Sequence, residues 1–408
     1  MARVRDPGNG DVIDEALALW FPGPHSETGE DMAELQVHGG PAVIAATFAA
    51  LGAIAGCRPA EPGEFSRRAF DNGKLGLTEA EGLADLIAAE TPAQRRAAFR
   101  QLKGQIGDRA EAWRSRIIEA LALVEARIDF SDEADVPENL VTSALLTAQH
   151  LHDEIALILA DGGHAERLRE GLVVAIAGPP NAGKSTLLNR LAKREAAIVS
   201  PFPGTTRDVI EVHLDLGGYP VTLLDTAGIH EGSGPVEQEG IRRAKARAES
   251  ADLVLWVTDG SAIGQAANQA ASSSVDNGLI SKAWKVSNKL DLAVDKLGIS
   301  NESGSADSFT LSALTGKGLD RLIAALSAYA ADYFAVTESS IVTRARHRRA
   351  LEATAAALER ALALGPSGYE ELIAEELRAA ANTLGRLTGR IDVEDILDVI
   401  FREFCIGK

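Results

Sequence analysis

The chain has 408 residues, 46% of them hydrophobic, which is enough for two or three domains with sizeable cores. Its 41 basic and 59 acidic side chains give a formal net charge of −18, which argues against nucleic-acid binding over the whole surface but allows a local basic patch. Two cysteines, no run of about 20 apolar residues and no apolar signal-peptide core predict a cytoplasmic protein without a disulfide framework or a membrane span.

Residues 1–92 are predicted to form a small α/β domain, because short apolar runs alternate with helical segments. The expected elements are strands at 16–21 and 33–37 and helices at 41–55 and 62–70. Thr78 is expected to cap a third helix, since Glu81 three residues later completes a capping box. A first strand that begins almost at residue 1 predicts a domain that lacks its leading segment.

Two further regions, 93–168 and 334–408, are predicted to be helical. Apolar residues recur at helical spacing in 114–128, and another helix is expected from Leu140 to Ala160. Because helical regions stand on both sides of residues 169–333, we predict that the central region is a domain inserted into a helical one.

The central region alternates strands and helices. Its candidate strands are 172–177, 209–216, 221–224, 252–257, 283–286 and 309–311. Gly217 and Gly218 predict a hairpin between the second and third of these strands. The other connections require crossover helices, so the sheet is expected to be mostly parallel.

The sequence GPPNAGKS at 178–185 lies between the first of these strands and a predicted helix. A strand, a glycine-bounded loop and a helix form the setting of a phosphate-binding P-loop, in which backbone N–H groups and the helix N-terminus face the phosphates. Lys184 is predicted to reach the β- and γ-phosphates, and the Ser185 hydroxyl is predicted to bind Mg²⁺.

Further nucleotide-binding motifs follow in a fixed order. They are GTTRD at 204–208, DTAG at 225–228, NKLD at 288–291, and Ser312 with Ala313. Thr206 is predicted to close over the γ-phosphate and complete the Mg²⁺ shell, Asp225 to hold the ion through water, and the Gly228 N–H to contact the γ-phosphate. Asp291 offers acceptors to two N–H donors that guanine has and adenine lacks. The motifs therefore predict GTP, Mg²⁺ and a Ras-like P-loop GTPase sheet.

The residue that assists hydrolysis is less clear from the motifs. Ras-type enzymes orient the attacking water with a glutamine directly after the DxxG motif, but this chain has Ile229 there. The candidate replacements are Glu231, Glu237 and Glu239. Glu237 falls in the first turn of a predicted helix, where the alternative is that it only favours the helix dipole. The Asn181 amide oxygen suits a monovalent cation that replaces an arginine finger, and the alternative is a loop hydrogen bond.

Several longer stretches resemble one known family along nearly the full chain. They are GEDMAELQVHGG (29–40), RPAEPGEFSRRAFDNGKLGLTEAEGLADLI (58–87), GPPNAGKSTLLN (178–189), GTTRD, DTAGI, NKLD and the terminal FCIGK (404–408), which is the most specific. On these residues the chain resembles the MnmE (TrmE) family of tRNA-modifying GTPases. The resemblance implies an N-terminal folate-binding and dimerising domain at 1–92, a helical domain from 93–168 and 334–408, and an inserted G domain at 169–333.

The activity that the resemblance implies is potassium-dependent GTP hydrolysis driven by dimerisation of the G domains. It also implies a homodimer and a flavoprotein partner, MnmG (GidA), with which the family modifies C5 of the wobble uridine of certain tRNAs. The family usually begins with a further strand and a GRGAI-like segment, which this chain is expected to lack.

The motifs and the resemblance together give a set of predicted site residues. Predicted GTP contacts are Asn181, Ala182, Gly183, Lys184, Ser185, Thr186, Ser200, Thr205, Thr206, Asp225, Thr226, Ala227, Gly228, Asn288, Lys289, Asp291, Ser312 and Ala313. The resemblance implies potassium ligands at Asn181, Ser200, Phe202 and Thr205, and Mg²⁺ ligands are expected at Ser185 and Thr206. It implies that Glu237 acts on the attacking water, and that Glu34, Lys74 and Lys408 contact 5-formyltetrahydrofolate.

Some features allow more than one interpretation. Cys405 matches the family's C-terminal cysteine, or is a small buried residue near a helix end. The basic segments at 95–103 and 344–349 could meet tRNA phosphates or form solvated helix faces. The alternative functions are a regulatory G-protein switch, for example in ribosome assembly, and a folate-dependent carbon-transfer enzyme with a regulatory G domain.

Overall fold

The computed structural model describes residues 1–130, 137, 139–160, 163–179, 181–193, 211–225, 251–261, 283–292, 307–334, 341–366, 369–391 and 400. The chain divides into two units. Unit 1 consists of Met1–Ala88, Ala98–Ala160 and Ala345–Lys408, and unit 2 consists of Ala89–Ala97 and Asp161–Arg344. Most of unit 2 is therefore enclosed in sequence by two segments of unit 1.

The strands and helices are numbered in chain order. The strands are β1 (Ala2–Arg5), β2 (Val12–Phe21), β3 (Met32–Gln36), β4 (Leu172–Ala177), β5 (Glu211–Leu216), β6 (Tyr219–Asp225), β7 (Leu253–Asp259), β8 (Ala283–Asn288) and β9 (Ser308–Thr310). The helices are α1 (Pro41–Gly52), α2 (Glu64–Asp71), α3 (Leu77–Ala88), α4 (Pro92–Leu102), α5 (Gln105–Asp129), α6 (Leu140–Leu159), α7 (His164–Glu170), α8 (Lys184–Ala192), α9 (Leu319–Tyr333), α10 (Ala345–Leu364) and α11 (Glu370–Thr388). Within the described residues, no helix is both long enough and apolar enough to cross a membrane.

The first three strands of unit 1 form an antiparallel sheet in the order β1-β2-β3. Both predicted strands of this region are confirmed, but β2 begins at Val12 instead of at residue 16. The polar residues Asp14 and Glu15 obscured its first half in the sequence. They belong to the strand because this half pairs with β1, for example Arg3 with Glu15.

The larger part of unit 1 is a group of packed helices, in which α5 and α6 pack against each other and against the C-terminal helices α10 and α11. Helix α5 contains the apolar repeat predicted at 114–128. Its buried stripe is Ile106, Ala110, Trp113, Ile117, Ala120 and Val124, at the spacing of one helix face. The predicted helix from Leu140 to Ala160 is confirmed as α6.

The predicted capping box at Thr78 is wrong. Helix α3 already begins at Leu77, and the carboxylate of Glu79 accepts a hydrogen bond from the Gly76 N–H at 2.6 Å. Glu81 is instead 1% exposed and lies 2.6 Å from Nε2 of the buried His347, with the Arg346 guanidinium 2.9 Å from the same carboxylate. Burial opposes ionisation, but the adjacent cations outweigh it and hold the pKa of Glu81 well below its usual range.

Unit 2 contains a six-stranded sheet in the order β5-β6-β4-β7-β8-β9. All neighbouring strands are parallel except β5 and β6, which are joined by the predicted turn at Gly217 and Gly218. The sheet is therefore mostly parallel, as predicted. Strand β4 is central and almost wholly apolar, since both faces of a parallel sheet are covered.

A short segment, residues 89–97, belongs to unit 2 although its neighbours on both sides in the chain belong to unit 1. The Ala93 N–H donates to the Gly218 carbonyl at 3.1 Å, and the Gln94 amide donates to the Arg169 carbonyl at 3.2 Å. Nδ1 of His213 lies 2.9 Å from the carboxylate of Glu90. These contacts bind the segment to the hairpin and to α7.

The pH dependence of stability tests the contact between Glu90 and His213. Hydrogen bonding to the carboxylate raises the pKa of His213 above its ordinary value of 6.5. Protonated His213 therefore stabilises the fold fully below about pH 6.5, and this contribution is lost as the pH rises through the raised value. We expect the free energy of unfolding to fall by about 0.5 kcal/mol from this pair between about pH 6 and about pH 8, a small effect because the pair is partly exposed.

Urea unfolding of the wild type and of His213→Gln at both pH values measures this difference. His213→Gln should lose this pH-dependent change in the free energy of unfolding. His25→Gln, at an exposed loop position, should retain it. The same pH dependence in His213→Gln and in the wild type would contradict the assignment.

Candidate nucleotide-binding site

The loop at 178–185 connects β4 to α8, as the sequence predicted. Gly178 has φ +144°, and a Cβ atom at this position would lie 2.0 Å from the carbonyl oxygen of Val257. Gly183 has φ +92°, and its Cβ would lie 2.3 Å from Nδ2 of Asn288. Both glycines are therefore required by close packing, Gly178 against the backbone of β7 and Gly183 against the side chain of Asn288 at the end of β8.

Lys184 lies at the start of α8 with its side chain inside the loop. Its Nζ donates to the carbonyl oxygens of Gly178 at 2.9 Å and Pro179 at 3.0 Å. Burial lowers the pKa of Lys184, while the Asp225 carboxylate opposes this shift. The loop thus holds a largely buried cation where the phosphates of a nucleotide are predicted to bind.

Ser185 and Asp225 come together from two different elements. Asp225 is the last residue of β6 and is 3% exposed, and its Oδ2 accepts a hydrogen bond from the Ser185 hydroxyl at 2.8 Å. The strand register places Asp225 beside Ile176 of β4, immediately before the loop. A hydroxyl and a carboxylate are the hard oxygen donors that Mg²⁺ prefers, so this pair fits the predicted ion.

Asn288 links the phosphate side of the site to the base side. Its Nδ2 donates to the Ala182 carbonyl at 2.9 Å, and its Oδ1 accepts from the Ala313 N–H at 2.8 Å. Asn288 and Ala182 are both buried, with exposures of 3% and 0%. The two predicted residues Asn288 and Ala313 therefore join the loop to the strand ends that carry the base-binding motif.

Asp291 lies in the turn Leu290–Leu292, directly after β8. Its Oδ1 accepts a hydrogen bond from the hydroxyl of the fully buried Ser312. Ser312 is itself fixed, because its N–H donates to the Lys317 carbonyl at 2.9 Å. One oxygen of the exposed Asp291 carboxylate is thereby oriented by the protein before any base binds.

Sequence reasoning missed Asp259 and Ser261, which support Lys289. Nζ of Lys289 lies 2.6 Å from Oδ2 of Asp259, whose Oδ1 accepts from the Ser261 N–H at 2.9 Å and from its hydroxyl at 2.7 Å. Burial opposes ionisation of Asp259, but hydrogen bonds from Lys289 and Ser261 lower its pKa overall. Lys289 has φ +68°, an unusual value for a lysine, and the ion pair helps to hold it.

The signal that could have found Asp259 is its place in the sheet. It ends β7, and its register partner in β8 is Asn288. An acid at the carboxyl end of a parallel strand next to a known motif is a natural partner for the adjacent lysine.

The remaining predicted residues fall into three groups. Thr186 is exposed on α8, and Asn181 is exposed in the loop with φ +61°. Glu34 on β3 and Lys74 after α2 are both exposed, and Glu34 accepts a hydrogen bond from Nε2 of Gln36 at 2.9 Å. The residues outside the described part of the chain are Ser200, Phe202, Thr205, Thr206, Thr226, Ala227, Gly228, Glu237, Cys405 and Lys408.

Two family models match consecutive parts of the chain. Residues 1–74 match the family described as GTP-binding protein TrmE N-terminus, and residues 77–405 match the family described as MnmE helical domain. The tRNA modification GTPase MnmE of Rhodopseudomonas palustris strain BisB5 is 58% identical over 99% of this chain and 89% of its own length. The protein of the same name from Bradyrhizobium sp. strain BTAi1 is 57% identical over 100% of this chain and 89% of its own.

Among solved structures, a point variant of Aquifex aeolicus Era bound to GDP·AlF4⁻ is 29% identical, with a TM-score of 0.29 over 39% of this chain and 56% of that one. The G domain of the T. maritima FeoB iron transporter is 23% identical, with a TM-score of 0.27 over 39% of this chain and 98% of that one. The two family matches and the curated relatives agree over almost the entire length. The chain belongs to the MnmE family of tRNA modification GTPases.

Proposed function

We propose that this chain is a cytoplasmic, potassium-dependent GTPase that hydrolyses GTP to GDP and, with the flavoprotein MnmG (GidA), takes part in modifying C5 of the wobble uridine of certain tRNAs. The observation that carries the proposal is the bridge at Asn288, which joins the phosphate loop to the base-binding turn. The four-domain division at 1–92, 93–168, 169–333 and 334–408 is part of the same proposal.

The described residues have distinct roles in phosphate chemistry. Lys184 offers its ammonium to the β- and γ-phosphates in place of the Gly178 and Pro179 carbonyls that it now contacts. Ser185 and Asp225 would hold Mg²⁺ together with Thr206. When bound, Mg²⁺ neutralises charge that develops on the phosphate oxygens. The resemblance assigns the attacking water to Glu237.

Asn181 supports the potassium requirement. It has φ +61° without being glycine, and within the described residues its amide makes no hydrogen bond, so the alternative of a loop hydrogen bond has no support there. Such a backbone value costs roughly 1 kcal/mol in a residue other than glycine, which is consistent with a functional role. Together with Ser200, Phe202 and Thr205, Asn181 would hold a cation whose positive charge replaces that of an arginine finger.

The rate of GTP hydrolysis in KCl and in NaCl at equal ionic strength tests the proposal. We expect hydrolysis to be faster in KCl by about tenfold or more, because the wrong cation leaves transition-state charge unbalanced. Asn181→Gly keeps the positive φ but removes the ligand oxygen, and should abolish the difference while GTP still binds. Asn189→Ala, an exposed amide on the following helix, should retain it. Equal rates in both salts for the wild type would refute the potassium role.

The homodimer has its own support in unit 1. Helix α1 is apolar on nearly all sides, yet Thr47 and Ala50 are its buried residues. Its exposed stripe is Ile44, Phe48 (66% exposed) and Leu51, and the exposed Ile54 follows just after the helix; Trp20 (62% exposed) and Phe21 are exposed on the adjoining β2. An apolar patch of this kind marks an interaction surface, and we infer that a second copy of the chain covers it.

The proposed folate contacts in the described residues are Glu34 and Lys74. The Glu34 carboxylate fits the N–H donors of a pteridine ring, and Lys74 fits the carboxylates of 5-formyltetrahydrofolate. Both side chains are exposed, so they are available to a ligand. A folate would supply the one-carbon group, and Lys408 completes the proposed contacts.

A further inference from the structure

One face of helix α4 carries a concentration of positive charge. It consists of Arg95, Arg96, Phe99 and Arg100 together with Lys103, which directly follows the last residue of the helix; all are exposed, and the set is termed here the α4 basic face. At about 100° per residue, these side chains occupy a sector of about 140°. The opposite side of the helix holds the buried Ala98 and Gln101, so the helix is oriented with its charges toward solvent.

Within the described residues, these charges have no carboxylate partners. Helix α4 has the sequence PAQRRAAFRQL, without an acidic residue. In the part of the chain that the structure describes, none of the four cations forms an ion pair, and the Lys103 ammonium lies 5.5 Å from the centre of the Phe99 ring. Elsewhere in this acidic protein exposed arginines do find carboxylates, as Arg360 does with Glu376 at 2.7 Å.

The second basic segment, 344–349, differs from the α4 basic face because its Arg346 contacts other parts of the protein. The Arg346 guanidinium contacts the Glu81 carboxylate and also donates to the carbonyl oxygens of Arg386 at 3.3 Å and Leu387 at 3.1 Å. These contacts join α10 to α3 and to the end of α11. The structure thus assigns Arg346 a packing role, which leaves the α4 basic face as the stronger candidate for a polyanion.

We propose that the α4 basic face binds the phosphate backbone of tRNA, with Phe99 stacked on an unpaired base. The four cations extend over about 12 Å from Arg95 to Lys103, a length that can follow the phosphate backbone of an RNA strand. Phe99 is 50% exposed between the cations, and an aromatic ring among basic residues is the arrangement that holds single-stranded RNA. This inference rests on tRNA being the substrate, as proposed above.

The test compares two variants of the full-length protein with equal loss of charge. In the first, Arg95, Arg96, Arg100 and Lys103 are all replaced by glutamine, a good helix former. In the control, glutamine replaces four exposed arginines that are paired with carboxylates, namely Arg3, Arg116, Arg360 and Arg378. Binding of an unmodified tRNA transcript is measured at several KCl concentrations by fluorescence anisotropy.

We expect the α4 variant to lose affinity by about a hundredfold at low salt and the slope of log affinity against log salt to fall by about 3, since each lost phosphate contact removes about 0.7 to 0.9. The control should change affinity by less than about fivefold, because screening weakens charges that lie far from the bound RNA. Phe99→Leu should weaken binding by between about fivefold and a hundredfold without changing the slope, and Phe99→Tyr should restore it. An unchanged basal GTPase rate in every variant shows that the fold is intact.

Three outcomes would overturn the inference. Equal losses in the α4 variant and the control would mean that only net charge matters. If the α4 variant binds tRNA normally but no longer binds the flavoprotein, the α4 basic face is a contact for that protein and not for tRNA. If the wild type itself fails to bind tRNA at low salt, the proposed function fails and the inference fails with it.

Discussion

Gly178→Ala is expected to destabilise unit 2 by about 3 to 5 kcal/mol. The added Cβ would lie 2.0 Å from the Val257 carbonyl oxygen and 3.2 Å from the Val257 nitrogen, atoms of the neighbouring strand β7 that cannot move independently of the sheet. The φ of +144° adds strain of about 1 kcal/mol or more, because residues with a Cβ avoid this region. Crowding and strain together exceed the effect of an ordinary substitution.

Urea unfolding followed by circular dichroism measures this loss, and GTP binding should fall with it because the P-loop starts at Gly178. The matched control is Gly217→Ala in the hairpin between β5 and β6. Gly217 also has a positive φ, +67°, but an added Cβ meets nothing within 4 Å. Gly217→Ala should lower the free energy of unfolding by about 1 kcal/mol, from backbone strain alone. Similar losses in both variants would show that Gly178 is not packed as described.

Asp291→Asn is expected to weaken GTP binding by at least about a thousandfold, or about 4 kcal/mol. The carboxylate accepts from two N–H donors of guanine, and Ser312 already orients it through a hydrogen bond to Oδ1. An asparagine amide puts a donor opposite one of those donors, which leaves a polar pair unsatisfied at the base. Xanthine has a carbonyl in place of the guanine amino group, so xanthosine triphosphate should become the preferred nucleotide.

Competition between the two nucleotides in a fluorescence binding assay measures the change. Asp332→Asn, an exposed acid near the end of α9, removes the same charge and should leave the preference for GTP unchanged. If Asp291→Asn still prefers GTP, the assignment of Asp291 to base recognition is wrong. A loss of all nucleotides together would instead indicate a damaged fold.

The sequence predicted the site best where the chemistry depends on neighbouring residues. Lys184 and Ser185 follow from one contiguous motif, and the end of β6 at Asp225 follows from a short apolar run. The mostly parallel sheet was predictable because the hairpin at Gly217 and Gly218 leaves crossovers as the other connections. In each case the residues that determine the local structure lie within a few positions of one another in the sequence.

The interactions that sequence reasoning missed connect distant residues. Asp259 supports Lys289 from another strand, and only the register of β7 and β8 brings the two together. Glu81 has the right spacing from Thr78 for a helix cap, but its carboxylate is used by two cations that follow more than 260 residues later. Local propensity could not reveal this, because a buried ion pair depends on tertiary packing.

The contact between Glu81 and His347 has a consequence for synthesis on the ribosome. Its two residues are 266 positions apart, and most of unit 2 is translated between them. When α3 emerges, the cations that neutralise its buried glutamate do not yet exist, so unit 1 cannot complete its core until α10 has left the exit tunnel. Unit 2 has by then been fully synthesised, since both of its segments, 89–97 and 161–344, precede α10 in the chain. Chains that are truncated after Arg344 and released from the ribosome should therefore protect unit 2 from protease, while the N-terminal helices remain cleavable.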